Sequence, residues 1–228
     1  LLIAGTTGAG KSVALEVIIG GFLTRYNSEQ IQFVIVDPKQ TELIDFELFD
    51  GVKNNCLRES IGSTPHDACR ILSLALDEMT RRLDLFASTS KTLRSQGQRS
   101  IKNIDQYNSR GDTQLPRLVV VLDEYADLVS GEDDKKEIEA LLVQLAQKSR
   151  SAGIHLIVAT QKPIVEVLST VVKGNLPAVL ALRVNSQSDS RVVLDEGGAE
   201  RLLGKGDALL KIGGQTRRLQ IAQFDQWP

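Results

Sequence analysis

The sequence predicts an α/β fold built on a mainly parallel twisted sheet with helices on both faces. Three observations predict it. Apolar runs of strand length alternate with helical stretches from end to end, a glycine-rich loop joins the first run to the first helix, and two later runs end in acid or amide side chains. The 228 residues are 42% hydrophobic and 25% charged, which suits one large core and excludes a disordered, collagenous or disulfide-scaffold chain.

The strands are expected at residues 1–4, 31–37, 118–123, 154–160 and 178–184, each a mainly apolar run of strand length. A helix begins near Lys11, directly after the glycine-rich loop. A long amphipathic helix follows a Thr64 cap and Pro65 at its first position, with Ala68, Ile71, Leu72, Ala75, Leu76, Met79 and Leu83 at spacings of three and four. Residues 88–116 are polar and break this rhythm, so they read as an exposed excursion with a short helical piece near 101–107. Another helix covers about 134–151, with Ile138, Leu141, Leu142 and Leu145 on one face and Gly153 placed to end it. Residues 207–212 and 217–221 flank Gly213-Gly214-Gln215-Thr216 as a terminal hairpin. With no internal repeat and no linker, residues 1–228 read as one domain, and the start inside an apolar strand without methionine suggests a piece of a longer protein.

Charge gives no bulk signal: 27 Lys plus Arg face 29 Asp plus Glu, a net charge of −2, so any polyanion must be gripped locally. Cys56 and Cys69 read as incidental thiols of a reducing compartment. The longest apolar runs fall short of the roughly 18 to 20 residues of a membrane span, and no signal peptide opens the chain, so the expectation is a soluble, cytoplasmic piece. His66 and His155 are isolated from each other and from the cysteines, which gives no metal-ligand spacing and predicts no protein-only metal site.

The chemistry begins at Gly5-Thr6-Thr7-Gly8-Ala9-Gly10-Lys11-Ser12, which satisfies the phosphate-loop pattern G-x-x-x-x-G-K-S/T between a strand and a helix. Glycines let successive N–H groups converge on phosphate oxygens, and the following helix adds its positive end. Residues Gly5 to Val13 therefore form the nucleotide cradle. Lys11 is placed to meet the β/γ-phosphates and Ser12 to ligate Mg²⁺.

The run 118–122 delivers Asp123 and Glu124 to the carboxyl edge of the sheet, where open α/β folds bind ligands. Asp123 suits the metal, and Glu124 suits the general base that activates water. Gln161 ends the 154–160 run; it either senses the γ-phosphate or lytic water or merely caps the strand. Two roles fit Arg150, near the end of its helix: pairing with the helix carboxyl end, as Lys148 can, or acting in trans on a neighbouring subunit's γ-phosphate. Arg191 is a second candidate for the trans role, and the sequence does not separate them.

These strings resemble the motor domain of the FtsK/SpoIIIE family. The likeness runs from the phosphate loop through Val36-Asp37-Pro38-Lys39, followed by Glu42-Leu43, and is plainest in Leu122-Asp123-Glu124-Tyr125-Ala126-Asp127-Leu128. It continues in Gln147-Lys148-Ser149-Arg150-Ser151-Ala152-Gly153-Ile154-His155, Thr160-Gln161-Lys162-Pro163, Gly174-Asn175-Leu176-Pro177, Asp189-Ser190-Arg191 and Leu203-Gly204-Lys205-Gly206-Asp207. The resemblance implies a RecA-like P-loop NTPase core, ATP with Mg²⁺, a homo-hexameric ring and double-stranded DNA drawn through its pore. It implies Lys11, Ser12 and Asp123 on nucleotide and metal, Glu124 as base, Gln161 as sensor and Arg150 in trans. By position it makes Arg94, Arg99, Lys102 and Lys173 candidate DNA contacts. Any membrane attachment would come from other parts of the parent protein. The 88–116 segment is shorter than in the cell-division members, and secretion-type ATPases that move proteins share the superfamily, so a protein-handling motor is the alternative.

Overall fold

The computed structural model describes residues 1–41, 43–47, 55–110 and 113–223. Glu42 of the family-like string and residues 111–112 of the polar segment lie outside them. In chain order the elements are β1 (Leu2–Ala4), α1 (Lys11–Leu23), β2 (Ile31–Val36), α2 (Pro65–Ser95), α3 (Ile104–Asn108), β3 (Arg117–Leu122) and α4 (Tyr125–Leu128). Then come α5 (Glu132–Ala152), β4 (Ile154–Thr160), α6 (Thr170–Asn175), β5 (Ala178–Leu182), α7 (Gln187–Leu194), β6 (Asp207–Ile212) and β7 (Gln215–Gln220).

The seven strands form one sheet in the order β2-β3-β4-β1-β5-β6-β7. Strands β1 to β5 run parallel, and β6 and β7 add antiparallel at one edge. Strand β1 lies between β4 and β5, with Leu2 level with both Val158 and Val179. This order is what builds the site: the carboxyl ends of β2, β3, β4, β1 and β5 fall side by side along one edge.

The strands read as continuous apolar runs because both faces are covered. Val34, Val36, Val120, Leu122 and Val158 face the layer containing α2 and α5. Phe33, Ile35, Val121, Ile157 and Ala159 face α1, whose Ala14, Leu15 and Ile19 are buried against them. Helix α2 opens with the expected cap, in which Thr64 Oγ1 accepts from the Asp67 N–H at 3.1 Å and Asp67 Oδ2 accepts from the Thr64 N–H at 3.0 Å.

The polar segment departs from expectation. Helix α2 continues to Ser95, and Ser90 is buried, its hydroxyl accepting from the Ile101 N–H at 2.8 Å. Phe86, Ile101, Ile104 and Leu115 form a small core of their own. The described residues of 88–116 are therefore partly a helix and partly a packed annex rather than a wholly exposed excursion. Four apolar side chains spread over thirty residues leave no visible period, which hid the annex. The hairpin turn is also tighter than expected: Gly213 and Gly214, at φ +59° and +79°, make it alone, and Gln215 and Thr216 already pair in β7. Helix α5 starts at Glu132 and ends, as expected, on a left-handed Gly153. No helix among the described residues is long and apolar enough to cross a membrane.

Candidate nucleotide and catalytic site

The phosphate loop leaves β1 in the centre of the sheet edge and is fastened on both sides. The Gly5 N–H donates to the Thr160 carbonyl at 3.2 Å, and the Thr6 N–H donates to the Arg183 carbonyl at 2.9 Å. Gly8 and Gly10 have φ of +76° and +106°, a region that side chains rarely adopt. At Gly10 a Cβ would lie 2.7 Å from the Gly206 backbone nitrogen, which itself donates to the Ala9 carbonyl at 2.9 Å. The loop thus curls against a second glycine turn with room only for backbone. It borders a cavity of about 490 Å³, floored by the loop, Ser12 and Val13 and walled by Gln161, Lys205, Gln220 and Ile221. Helix α1 starts at Lys11 with its N-terminus at this cavity, which favours an anion there.

Beside the loop, β3 delivers its two carboxylates. Asp123 is fully buried and forms an ion pair with the buried ammonium of Lys11. Glu124 is also buried, and its backbone is left-handed at φ +38° and ψ +57°. A non-glycine residue in that region stores strain that recurs at functional sites. That turn aims the Glu124 side chain along the edge towards β4, where Oε1 accepts from the Gln161 N–H at 3.1 Å and from the Thr160 hydroxyl at 3.3 Å. Oε2 accepts from the Lys39 ammonium at 3.2 Å. The Gln161 side chain turns back to the loop, its Oε1 accepting from the Thr7 hydroxyl at 2.8 Å. The donor set suits a hard divalent cation: Ser12 brings a hydroxyl to the cavity, Asp123 lies next to Glu124, and among the described residues no sulfur or imidazole lines the cavity.

Arg150 stands apart. It is exposed in the last turn of α5, immediately before β4 begins, and so lies at the opposite edge of the sheet from Gln161. Seven residues of strand separate the two edges, roughly 20 Å at about 3.3 Å per residue. Around it, Lys102, Arg117 and Lys148 line a hollow of about 500 Å³ that also holds Asp105. Arg191 is exposed on α7.

The candidate DNA contacts do not form one cluster. Arg99 and Lys102 are exposed and share a polar hollow of about 630 Å³ with Arg110. Arg94 is exposed on the last turn of α2, its Nε donating to the Ser90 carbonyl at 3.3 Å. Lys173 is engaged elsewhere, donating to Asp195 Oδ1 at 2.8 Å, with Lys211 on the same carboxylate at 3.5 Å.

Sequence reasoning missed Lys39, Arg183 and Lys205 as site residues. Lys39 and Arg183 carried one signal, a basic side chain just past the end of a buried parallel strand. For Lys39, the partner was the difficulty. Its distance of 85 residues from Glu124 concealed the contact until strand order placed β2 beside β3.

A profile of the FtsK/SpoIIIE family matches residues 1–165. The chain belongs to the FtsK/SpoIIIE family. Among its relatives, the DNA translocase FtsK of Clostridium tetani (strain Massachusetts / E88) is 39% identical over 226 residues, covering 97% of this chain and 28% of that protein. The chain therefore spans little more than a quarter of that relative's length. Among solved structures, the pCW3 conjugation coupling protein TcpA, in a monomer form with ATPγS, aligns with a TM-score of 0.79 at 29% identity, covering 99% of this chain and 60% of that one. The cytoplasmic domain of the type VII secretion ATPase EccC of Thermomonospora curvata shares the fold, with a TM-score of 0.77 at 24% identity over 97% of this chain and 25% of that one. By fold and family, this member of FtsK/SpoIIIE is a P-loop ATPase.

Proposed function

We propose that residues 1–228 form one RecA-like motor domain that hydrolyses ATP with Mg²⁺ and, as a homo-hexameric ring, moves double-stranded DNA through its pore. The observation that carries this reading is the meeting of phosphate loop, Asp123, Glu124 and Gln161 at one sheet edge. Family membership and the DNA translocase relatives supply the nucleic-acid part.

In this reading the backbone N–H groups of Gly5 to Val13 hold the phosphates, and Lys11 exchanges Asp123 for the β/γ-phosphate oxygens. Ser12 and Asp123 hold the magnesium ion, which when bound neutralises charge on the phosphate oxygens. Glu124 accepts a proton from the attacking water, whose oxygen forms the new bond to phosphorus as the bond to ADP breaks. Gln161, joined to both the loop and the base, senses the γ-phosphate. Arg150 faces away from its own loop and supplies its charge to the next subunit. Arg94, Arg99, Lys102 and Lys173 contribute phosphate contacts to DNA, of which Lys173 must first give up Asp195. A few such contacts per subunit, summed around a ring, make binding salt-dependent in spite of the net charge of −2.

The test is ATP turnover at fixed protein concentration with and without linear duplex DNA across a salt series, with ring formation followed by sedimentation. Stimulation by DNA that fades with salt is the expected result. In formed rings, turnover indifferent to DNA but raised by a polypeptide would instead favour a secretion-type motor.

A further inference from the structure

We propose that Lys39 is a positioning residue for Glu124, holding the base in its working rotamer. The inference rests on the assignment of Glu124 as the base. Strand β2 pairs with β3 up to Val36 and Leu122, and the Asp123 N–H donates to the Val36 carbonyl at 2.9 Å, so the residues after Val36 pass beside the acid pair. Buried Asp37 shapes that passage. Its Oδ1 accepts from the Lys39 N–H at 3.0 Å, which turns the chain at 37–39, and its Oδ2 accepts from the Leu43 N–H at 3.2 Å. The turn presents the Lys39 ammonium 3.2 Å from Glu124 Oε2.

Each of the two carboxylates has a lysine beside it. Lys11 faces Asp123 and Lys39 faces Glu124. In the proposed cycle Lys11 leaves for the phosphates, whereas Lys39 lies on the far side of Glu124 from the loop-linked Gln161 and keeps its partner. Glu124 needs such a hold. It sits on a strained left-handed backbone, and the other two bonds to its carboxylate, from Gln161 and Thr160, both act on Oε1. Without the ammonium on Oε2 the carboxylate swings about that single anchored oxygen, and small misplacements of a reacting group are costly. Lys39 is 38% exposed in its side chain but Glu124 only 2%, so removing the lysine leaves a buried carboxylate without its counter-charge, which the Lys39→Arg variant restores.

Steady-state ATP hydrolysis and nucleotide affinity of Lys39→Met and Lys39→Arg, alone and with Glu124→Gln, test the inference in the full chain with duplex DNA present. Lys39→Met should lower kcat roughly 10- to 100-fold with nucleotide affinity unchanged, and Lys39→Arg should recover much of the rate. In the Glu124→Gln background, Lys39→Met should lower the residual single-turnover rate no further. A Lys39→Met kcat within about twofold of the parent, or a loss matched by lost affinity, overturns the proposal. So does an undiminished Lys39→Met effect in the Glu124→Gln background, which would place the lysine's action elsewhere. If Glu124→Gln itself turned over at the parent rate, the base assignment would fall first, and that outcome is read without any Lys39 variant.

Discussion

The Thr7 hydroxyl donates a 2.8 Å hydrogen bond to Oε1 of Gln161, joining the phosphate loop to the end of β4 side chain to side chain. The same Gln161 donates its backbone N–H to Glu124. One residue therefore touches both the phosphate loop and the carboxylate proposed to activate water. Removing its amide should disturb chemistry more than binding. Gln161→Ala is expected to lower kcat about 100-fold while nucleotide affinity changes less than about fivefold. Thr7→Val, which leaves Gln161 able to find another donor, should cost about tenfold or less. Turnover paired with a fluorescent-nucleotide titration separates the two effects.

Gly10 and Gly21 make opposite predictions. At Gly10 an added Cβ meets the Gly206 backbone at 2.7 Å on a backbone with φ of +106°, and neither side can yield without opening the loop. Gly10→Ala should abolish nucleotide binding and cost about 1–3 kcal/mol of stability. At Gly21, within α1, nothing lies within 4 Å of the same atom. Gly21→Ala should stabilise by about 0.5–1 kcal/mol with binding intact. Thermal unfolding with and without nucleotide reads both variants.

What could be read without the fold follows from how contiguous each feature is. The phosphate loop sits between strand and helix in one unbroken string, and its glycines and Lys11 are required by phosphate itself, so it was legible outright. Asp123, Glu124 and Gln161 were legible because buried strands announce where they end. Their mutual bonds were not, since these depend on β3 lying next to β4. The left-handed backbone of Glu124 leaves no mark on composition, and the Lys39 contact needs β2 beside β3. The annex around Ile104 was hidden for another reason: its few apolar residues are diluted by polar ones, and it packs on Gly153 and the end of α2 rather than on the sheet.

Glu78 and Arg82 predict an acid limb of stability. Arg82 is fully buried on α2, its Nε donating to Glu78 Oε1 at 2.7 Å and its Nη1 to the Ala152 carbonyl at 2.9 Å, so it ties α2 to the carboxyl end of α5. Burial pushes the Glu78 carboxyl up, but the guanidinium bonds from Arg81 and Arg82 outweigh it and bring it from 4.5 to about 2. A carboxyl lowered on folding contributes stability that is fully present above its unfolded value and lost as pH falls through the folded one. The window is thus pH 4.5 down to about 2. Glu78→Gln leaves the buried guanidinium without its counter-charge and should cost about 3 kcal/mol at neutral pH. It should also flatten the slope of stability in that window, which denaturant unfolding at several pH values would show.

Arg150 carries the prediction that most depends on assembly. Its place before β4, across the sheet from its own loop, means that it can serve catalysis only through a neighbour; Lys102 and Lys148 share its hollow, where Arg117 is already paired with Asp105 at 2.6 Å. Arg150→Ala should then bind ATP normally and turn it over slowly, as Glu124→Gln does for a different reason. In the proposed ring the two defects lie on opposite sides of one subunit interface. Mixed in equal amounts, the variants create interfaces in which an intact Glu124 faces an intact Arg150, about one quarter of the total at random, and turnover should partly recover. A mixture of Arg191→Ala with Glu124→Gln runs alongside as the comparison. Recovery there, with none from Arg150→Ala in rings shown to be formed, would transfer the role to α7. Recovery only with Arg150→Ala would fix the carboxyl end of α5 as the side of the subunit that faces its neighbour's nucleotide.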